Sequence, residues 1–353
     1  MRIWAVVESG KPLQELDIPT PEPTGEQVLL EVTHCGVCHS DLHIWEGEYD
    51  LGQRGKLRMA DRGVVLPLAM GHEIVGRVTK LGPDAKGVKV GDTRLIFPWV
   101  GCGKCAICAR GDENLCLTPR SMGVYQHGGY ATHVLVAKPK HLVDIEGLDP
   151  ALAATYACSG VTVFSAIRKA MPMEPNDPIV LVGAGGLGLN AIAILKALGH
   201  RNIVVVDVAD GKLQAAKDAG ATSTVLASGE DTAQRIVAAA GGPVGAVIDL
   251  VNGTQTARFA FDALRKGGKL IQVGLFGGEM NVPLPLMPMR ALTIQGSYVG
   301  SIPELNDLIE IAKQGRIPPI PIAKEPMEKA DEVLNRLKDG KIVGRVILTA
   351  QAA

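Results

Sequence analysis

At 353 residues the chain exceeds the size at which one hydrophobic core usually suffices, so two domains are expected. Hydrophobic residues make up 46%, enough to fill two cores, and 42 glycines suit an α/β protein with many tight turns. With 36 basic and 37 acidic residues the net charge is −1, which leaves no basic surplus for nucleic acid or a membrane surface. The opening stretch has no basic region followed by a long apolar one, and no apolar run approaches ~18 residues. Neither a signal peptide nor a transmembrane helix is therefore expected, and a cytoplasmic protein is. Seven cysteines, four of them in one short stretch, point to metal or thiol chemistry rather than a disulfide framework.

Residues 3–7 and 28–32 read as short strands flanking a Pro/Gly-rich segment, the start of a compact β-rich domain. Residues 34–43 follow, HCGVCHSDLH, dense in metal ligands and proton carriers. Residues 46–67 are polar and basic with little periodicity, and read as a long loop. Then come Gly71-His72-Glu73 and strands at 77–80 and 91–97.

Cys102, Cys105, Cys108 and Cys116 stand at Cx2Cx2Cx7C, the most specific motif in the chain. Thiolates this close can converge on one tetrahedral ion from a single loop, and four of them leave no open coordination position. The site reads as structural zinc, with an iron–sulfur cluster as the alternative. A further strand at 132–136 leads to an Ala/Leu-rich helix over 148–157, which ends in Cys158-Ser159-Gly160-Val161-Thr162.

Residues 179–182 form an apolar strand, followed by Gly183-Ala184-Gly185-Gly186-Leu187-Gly188, an apolar helix to Leu198 and a second strand ending on Asp207. This is the opening unit of a dinucleotide-binding fold. Gly183 permits the tight turn, Gly185 admits a pyrophosphate against backbone amides, and Gly188 lets the helix pack close to the strand. Asp207, 19 residues after Gly188, is placed to accept the adenosine ribose hydroxyls and to repel a 2′-phosphate, favouring NAD over NADP. Helices at 210–219, 232–240 and 254–265 then alternate with strands at 223–226, 244–251, 269–273 and 292–296. They give a doubly wound sheet of six parallel strands. The tail holds helices at 304–313 and 327–338 and a strand at 344–349; it departs from the alternation and is expected to return to the first domain.

In this order, Cys38-His39-Ser40-Asp41, Gly71-His72-Glu73, the four-cysteine loop, Cys158 with Thr162 and the glycine turn make the chain resemble a zinc-dependent medium-chain alcohol dehydrogenase over essentially its whole length. The resemblance implies a GroES-like catalytic domain (residues 1–159, zinc lobe about 98–118), a Rossmann domain (160–294) and a C-terminal return (295–353). It implies a catalytic zinc on Cys38, His72 and Cys158, hence two zinc ions per chain, and NAD-linked interconversion of an alcohol with its aldehyde or ketone.

The resemblance also implies a proton relay through Ser40 and His43, with Asp41 and Glu73 behind the metal ligands. By the same analogy His39 and Arg345 reach the pyrophosphate and Lys212 the adenosine ribose. Leu187 and Thr162 press on the nicotinamide, and Val273 and Leu275 offer backbone groups to its carboxamide. Cys158 favours simple alcohols, since the polyol branch carries Glu there. Trp45 and Trp99 are candidate pocket walls. Cys35 reads as a buried hydrophobe, and His34, His127, His133, His141 and His200 as structural.

The 33 residues between Cys38 and His72 exceed the spacing in yeast-type relatives, and the extra length at 49–67 is expected to overhang the substrate cleft. The resemblance also implies a homotetramer, with a dimer second, joined near residues 277–289. A polyol or threonine dehydrogenase, and a non-enzymatic nucleotide-binding relative, remain the alternatives.

Overall fold

The structure, a computed structural model, describes residues 1–350. Continuous β-branched runs such as IVLV at Ile179–Val182 and IVVVD at Ile203–Asp207 are buried along their whole length. Strands of that kind belong inside a parallel sheet covered on both faces. They lie at the centre of six parallel strands in the spatial order Ser223–Leu226, Ile203–Asp207, Ile179–Val182, Val244–Asp249, Leu264–Gln272, Thr293–Gly296. This is the expected doubly wound sheet. Its strand order reverses between Ile179–Val182 and Val244–Asp249, which opens a crevice at the carboxyl ends of the strands.

The second sheet is mostly antiparallel. Val28–Gly36 sits at its centre, paired with Glu73–Leu81, His133–Val136 and Arg345–Thr349. Ile322–Pro326 adds in parallel to Arg345–Thr349, so the tail does close back onto the β-rich part of the molecule. Arg2–Val6, Gln14–Asp17 and Leu68–Ala69 form a separate three-stranded sheet.

Three local readings are corrected by the structure. Residues 39–46, read only as a ligand-rich stretch, form a helix begun by reciprocal bonds between Cys38 and Asp41. Residues 46–67 are not a plain loop: Glu48–Asp50 pairs antiparallel with Lys56–Arg58. The helix expected to stop at Cys158 instead runs from Pro150 to Ala170. Asp149 caps it by accepting from Ala151 N at 3.0 Å, with Pro150 following. Residues Tyr156–Gly160 pass through one turn of π-helix without breaking the rod. By length and hydropathy this helix could span a bilayer, but 89% of its apolar window is buried in the protein, so it is a core helix.

Candidate active site and metal centres

Asp41 organises the first cluster of candidate metal ligands. Its Oδ2 accepts from the Cys38 amide at 2.9 Å and from the Tyr130 hydroxyl at 3.1 Å. Its Oδ1 accepts from Gly71 N at 3.2 Å and stands 3.1 Å from His72 Nδ1. One buried carboxylate thus fixes the backbone of Cys38 and the ring of His72. His72 is fully buried, and its Nε2 has no protein partner. The π turn brings Cys158 to the same place, with its sulfur 4.0 Å from that of Cys38.

The ligand atoms of Cys38, His72 and Cys158 all lie within 4.8 Å of one another. A tetrahedral ion with Zn–S bonds of ~2.3 Å needs sulfur edges of about 3.8 Å, so the three residues fit one ion and leave its fourth position open. The orphaned imidazole nitrogen is the donor such an ion would take up. The Cys38 thiol is held well below its ordinary pKa, chiefly by a hydrogen bond from Cys158 and, against burial, by His72.

Behind the ligands, burial pushes the Glu73 carboxyl up to about 7 against the opposing charge of Arg345. Glu73 Oε2 pairs with Arg345, and Oε1 accepts from the Ser159 amide at 3.2 Å.

Cys102, Cys105, Cys108 and Cys116 form the second cluster. Their sulfurs stand 3.5 Å (105–108), 3.8 Å (105–116) and 4.0 Å (102–108) apart. All four ligand atoms fall within 4.8 Å of one another. Those distances fit the edges of one tetrahedron around one ion, whereas a multi-iron cluster needs sulfurs further apart. Backbone amides of Cys102 and Thr118 donate to Cys116 Sγ at 3.3 and 3.4 Å, which favours thiolate. Buried Glu113 ties the loop to the body, accepting from Gly101 N at 3.1 Å, His141 Nε2 at 3.2 Å and Lys140. Burial opposes its charge, but His141 and Lys140 hold its pKa at about 2.

Cys38 and Cys158 line a cleft of 1790 Å³, which runs from there to the glycine turn and Asp207. A drug-sized ligand needs only about 300–1,000 Å³, so this cleft has room for an extended cofactor with a substrate beyond it.

Two family models match the chain: an alcohol dehydrogenase GroES-like domain over residues 24–147 and a zinc-binding dehydrogenase over residues 186–314. An NAD-dependent alcohol dehydrogenase of Sulfurisphaera tokodaii is 40% identical over 351 residues, covering 99% of both chains. One of the same description from Saccharolobus solfataricus is 38% identical, again over 99% of each. This chain belongs to the zinc-dependent medium-chain alcohol dehydrogenase family. The crystal structure of the alcohol dehydrogenase from Aeropyrum pernix superposes with a TM-score of 0.89 at 28% identity, over 99% of this chain and 100% of that one.

In a zinc-binding dehydrogenase the cofactor must reach the metal, and the glycine turn opens on the same cleft. Gly183 has φ +104, the left-handed region, and a side chain on Gly188 would collide with the Gly183 carbonyl. Gly185 faces open space, as close approach of a phosphate requires. Leu187, Thr162, Val273 and Leu275 line the cleft, with Thr162 Oγ1 buried and unpartnered. Asp207 and Lys212 line the far end. Asp207 Oδ2 accepts from Ala184 N at 2.8 Å and Oδ1 from Val208 N at 2.8 Å, so the carboxylate also braces the turn. Arg345 packs against Gly186, beside the expected pyrophosphate position, with its charge directed to Glu73. His39, Ser40 and His43 also face the cleft.

The two tryptophans separate. Trp99 lines the cleft, its ring 5.2 Å from that of His72 and its Nε1 donating to Ala157 O at 3.0 Å. Trp45 is not a pocket wall. It is buried in the β-domain core, donates to Lys11 O at 2.6 Å and carries Lys338 over its ring at 4.9 Å. Its place on the inner face of the helix His39–Glu46 turns it away from the cleft, and that helix was the element missing from the sequence reading.

Cys35 is a fully buried hydrophobe, and none of the five histidines read as structural lines the cleft. The cleft also holds aromatic residues that the sequence did not single out, among them Tyr49, 4.8 Å from the His43 ring, and Tyr298, 6.1 Å from Trp99. Tyr49 lies in the first strand of the extended segment's hairpin, Glu48–Asp50 with Lys56–Arg58. Tyr49, Leu51, Leu57, Met59 and Arg62 from that segment line the cleft, as the extra length suggested.

Proposed function

We propose that this chain catalyses the reversible, NAD(H)-linked oxidation of a primary or secondary alcohol to its aldehyde or ketone. The observation that carries the reading is the convergence of Cys38, His72 and Cys158 within 4.8 Å, at a cleft that also contains the glycine turn. Cys38, His72 and Cys158 would hold a zinc ion, which would supply Lewis acidity of the kind that lowers the pKa of water from about 15.7 to ~7. NAD supplies the hydride acceptor. Asp41 holds the His72 ring so that Nε2 points at the sulfurs, and Trp99 closes one wall against water. Thr162 and Leu187 set the face of the nicotinamide, and Ser40 passes the released proton to His43. Burial lowers the His43 pKa, so the imidazole stays neutral and able to accept below its ordinary range. Asp207 selects NAD by charge, and His39, Lys212 and Arg345 complete the cofactor site.

The four-cysteine loop holds a second, structural zinc. Residues 1–159 and 295–353 act as the catalytic domain and 160–294 as the nucleotide domain, joined through the helix Pro150–Ala170. The chain works in the cytoplasm, where seven unpaired cysteines stay reduced. It assembles as a homotetramer through apolar residues exposed in the segment that leads into the outer strand Thr293–Gly296, among them Leu284 and Met289. The test is a panel of alcohols, polyols and threonine with NADH absorbance as readout. Turnover of simple alcohols is expected; turnover confined to sorbitol or threonine overturns the substrate class, and no turnover overturns the enzyme reading.

A further inference from the structure

The helix that follows the glycine turn, Gly186–Ala197, has the sequence GLGLNAIAILKA, and its one buried polar side chain is Asn190. An amide is expensive in such a place unless it is hydrogen-bonded. Asn190 Nδ2 donates to Ser159 Oγ at 2.9 Å, across the boundary between the nucleotide helix and the helix Pro150–Ala170. Ser159 is also fully buried, and it directly follows Cys158 in the π turn.

The π turn has its own requirements. Ser159 Oγ donates back to Thr155 O at 2.9 Å, and its amide is directed at Glu73 Oε1 at 3.2 Å. Ser159 therefore holds three connections: to its own helix, to the residue after His72, and to the nucleotide helix. The last of these is the bond from Asn190. One turn earlier in that helix, Gly186 packs against Arg345, which pairs with the other oxygen of the same Glu73. The helix that seats the dinucleotide thus meets the neighbours of two metal ligands at two points.

We propose that Asn190 is a positioning residue that, through Ser159, couples the seating of the dinucleotide to the placement of Cys158 at the catalytic metal. Asn190 touches neither substrate nor the reacting atoms. Movement of the nucleotide helix on cofactor binding is passed by the Asn190–Ser159 bond to the turn that aims the sulfur. The inference rests on the zinc and NAD reading above.

The test uses holoenzyme with cobalt(II) at the catalytic site, whose thiolate-to-cobalt absorption reports the ligand geometry. NADH is the probe, and the proteins are wild type, Asn190→Leu, Ser159→Ala and the double variant. The expected result is a band that moves on NADH binding in the wild type and stays still in both single variants, although NADH binds all of them. Turnover should fall by about ten- to a hundredfold, the scale of an ångström-sized misplacement. The double variant should be no worse than either single one, because the two residues act through one bond.

A wild-type band shift in either single variant, losses that multiply in the double variant, or a wild-type band unmoved by NADH would each overturn the coupling. If Asn190→Leu does not fold, Ser159→Ala removes the same bond from the other side and decides the matter. A wild type whose band moves with NADH but which turns over no alcohol removes the proposed reaction and leaves the coupling standing.

Discussion

Cys38, His72 and Cys158 come from three distant stretches, yet a single carboxylate, Asp41, fixes two of them. Sulfur and imidazole announce themselves in a sequence because few other residues bind zinc, and the ligand candidates were legible for that reason. Trp45 was not, because a tryptophan serves a core and a pocket equally well and only the turn of its helix decides between them. Asn190 was legible in principle as the lone amide in an apolar helix, but its partner follows from three-dimensional contact alone.

At this scale Asp207→Gly should raise activity with NADP relative to NAD, since a carboxylate no longer opposes the 2′-phosphate; an unchanged ratio of kcat/KM values removes that role. His43 offers a pH test. Burial lowers its pKa, so the acid limb of kcat/KM for alcohol oxidation should lie below the ordinary imidazole value of ~6.5. His43→Ala should remove that limb and slow oxidation by about 10²-fold, the usual scale of positioned proton transfer. A wild-type profile in the variant would exclude His43 from the relay.

At the scale of the element, the four-cysteine loop, residues 102–116, has two short helical turns, Ala106–Ala109 and Glu113–Leu115, and little apolar packing of its own. Binding energies of ~10–16 kcal/mol for structural zinc in small peptides indicate what holds such a loop in shape. Cys105→Ser should therefore lower Tm and open the loop to proteolysis while the nucleotide sheet stays folded. An unaltered protease pattern with zinc lost would show that the loop does not need its metal.

The βα alternation was readable because each strand is a short apolar run between helical periods. The hairpin Glu48–Asp50 with Lys56–Arg58 was not readable. Its strands are three residues long, polar and only partly buried, so no alternating pattern marks them. The π turn was hidden for a related reason: it keeps helical composition and changes only which amide meets which carbonyl.

At the scale of the molecule, the two sheets and the cleft between them follow from chain length, strand periodicity and a tail that returns to Val28–Gly36. Assembly is a property of the surface instead. Leu284 is 78% exposed and Met289 68%, apolar side chains in the segment that leads into the outer strand Thr293–Gly296, and such exposed apolar surface favours burial against another copy. Sedimentation or light scattering should return four chains, and replacing Leu284 and Met289 by Lys should give smaller species that still bind NADH. A monomeric wild type at micromolar concentration would end the assembly reading.

The unbroken helix Pro150–Ala170 carries Cys158 and Thr162 four residues apart, about 6 Å at a helical rise of 1.5 Å per residue. With Cys158 on the metal and Thr162 against the nicotinamide, as proposed above, the spacing of those two contacts is set along one helix.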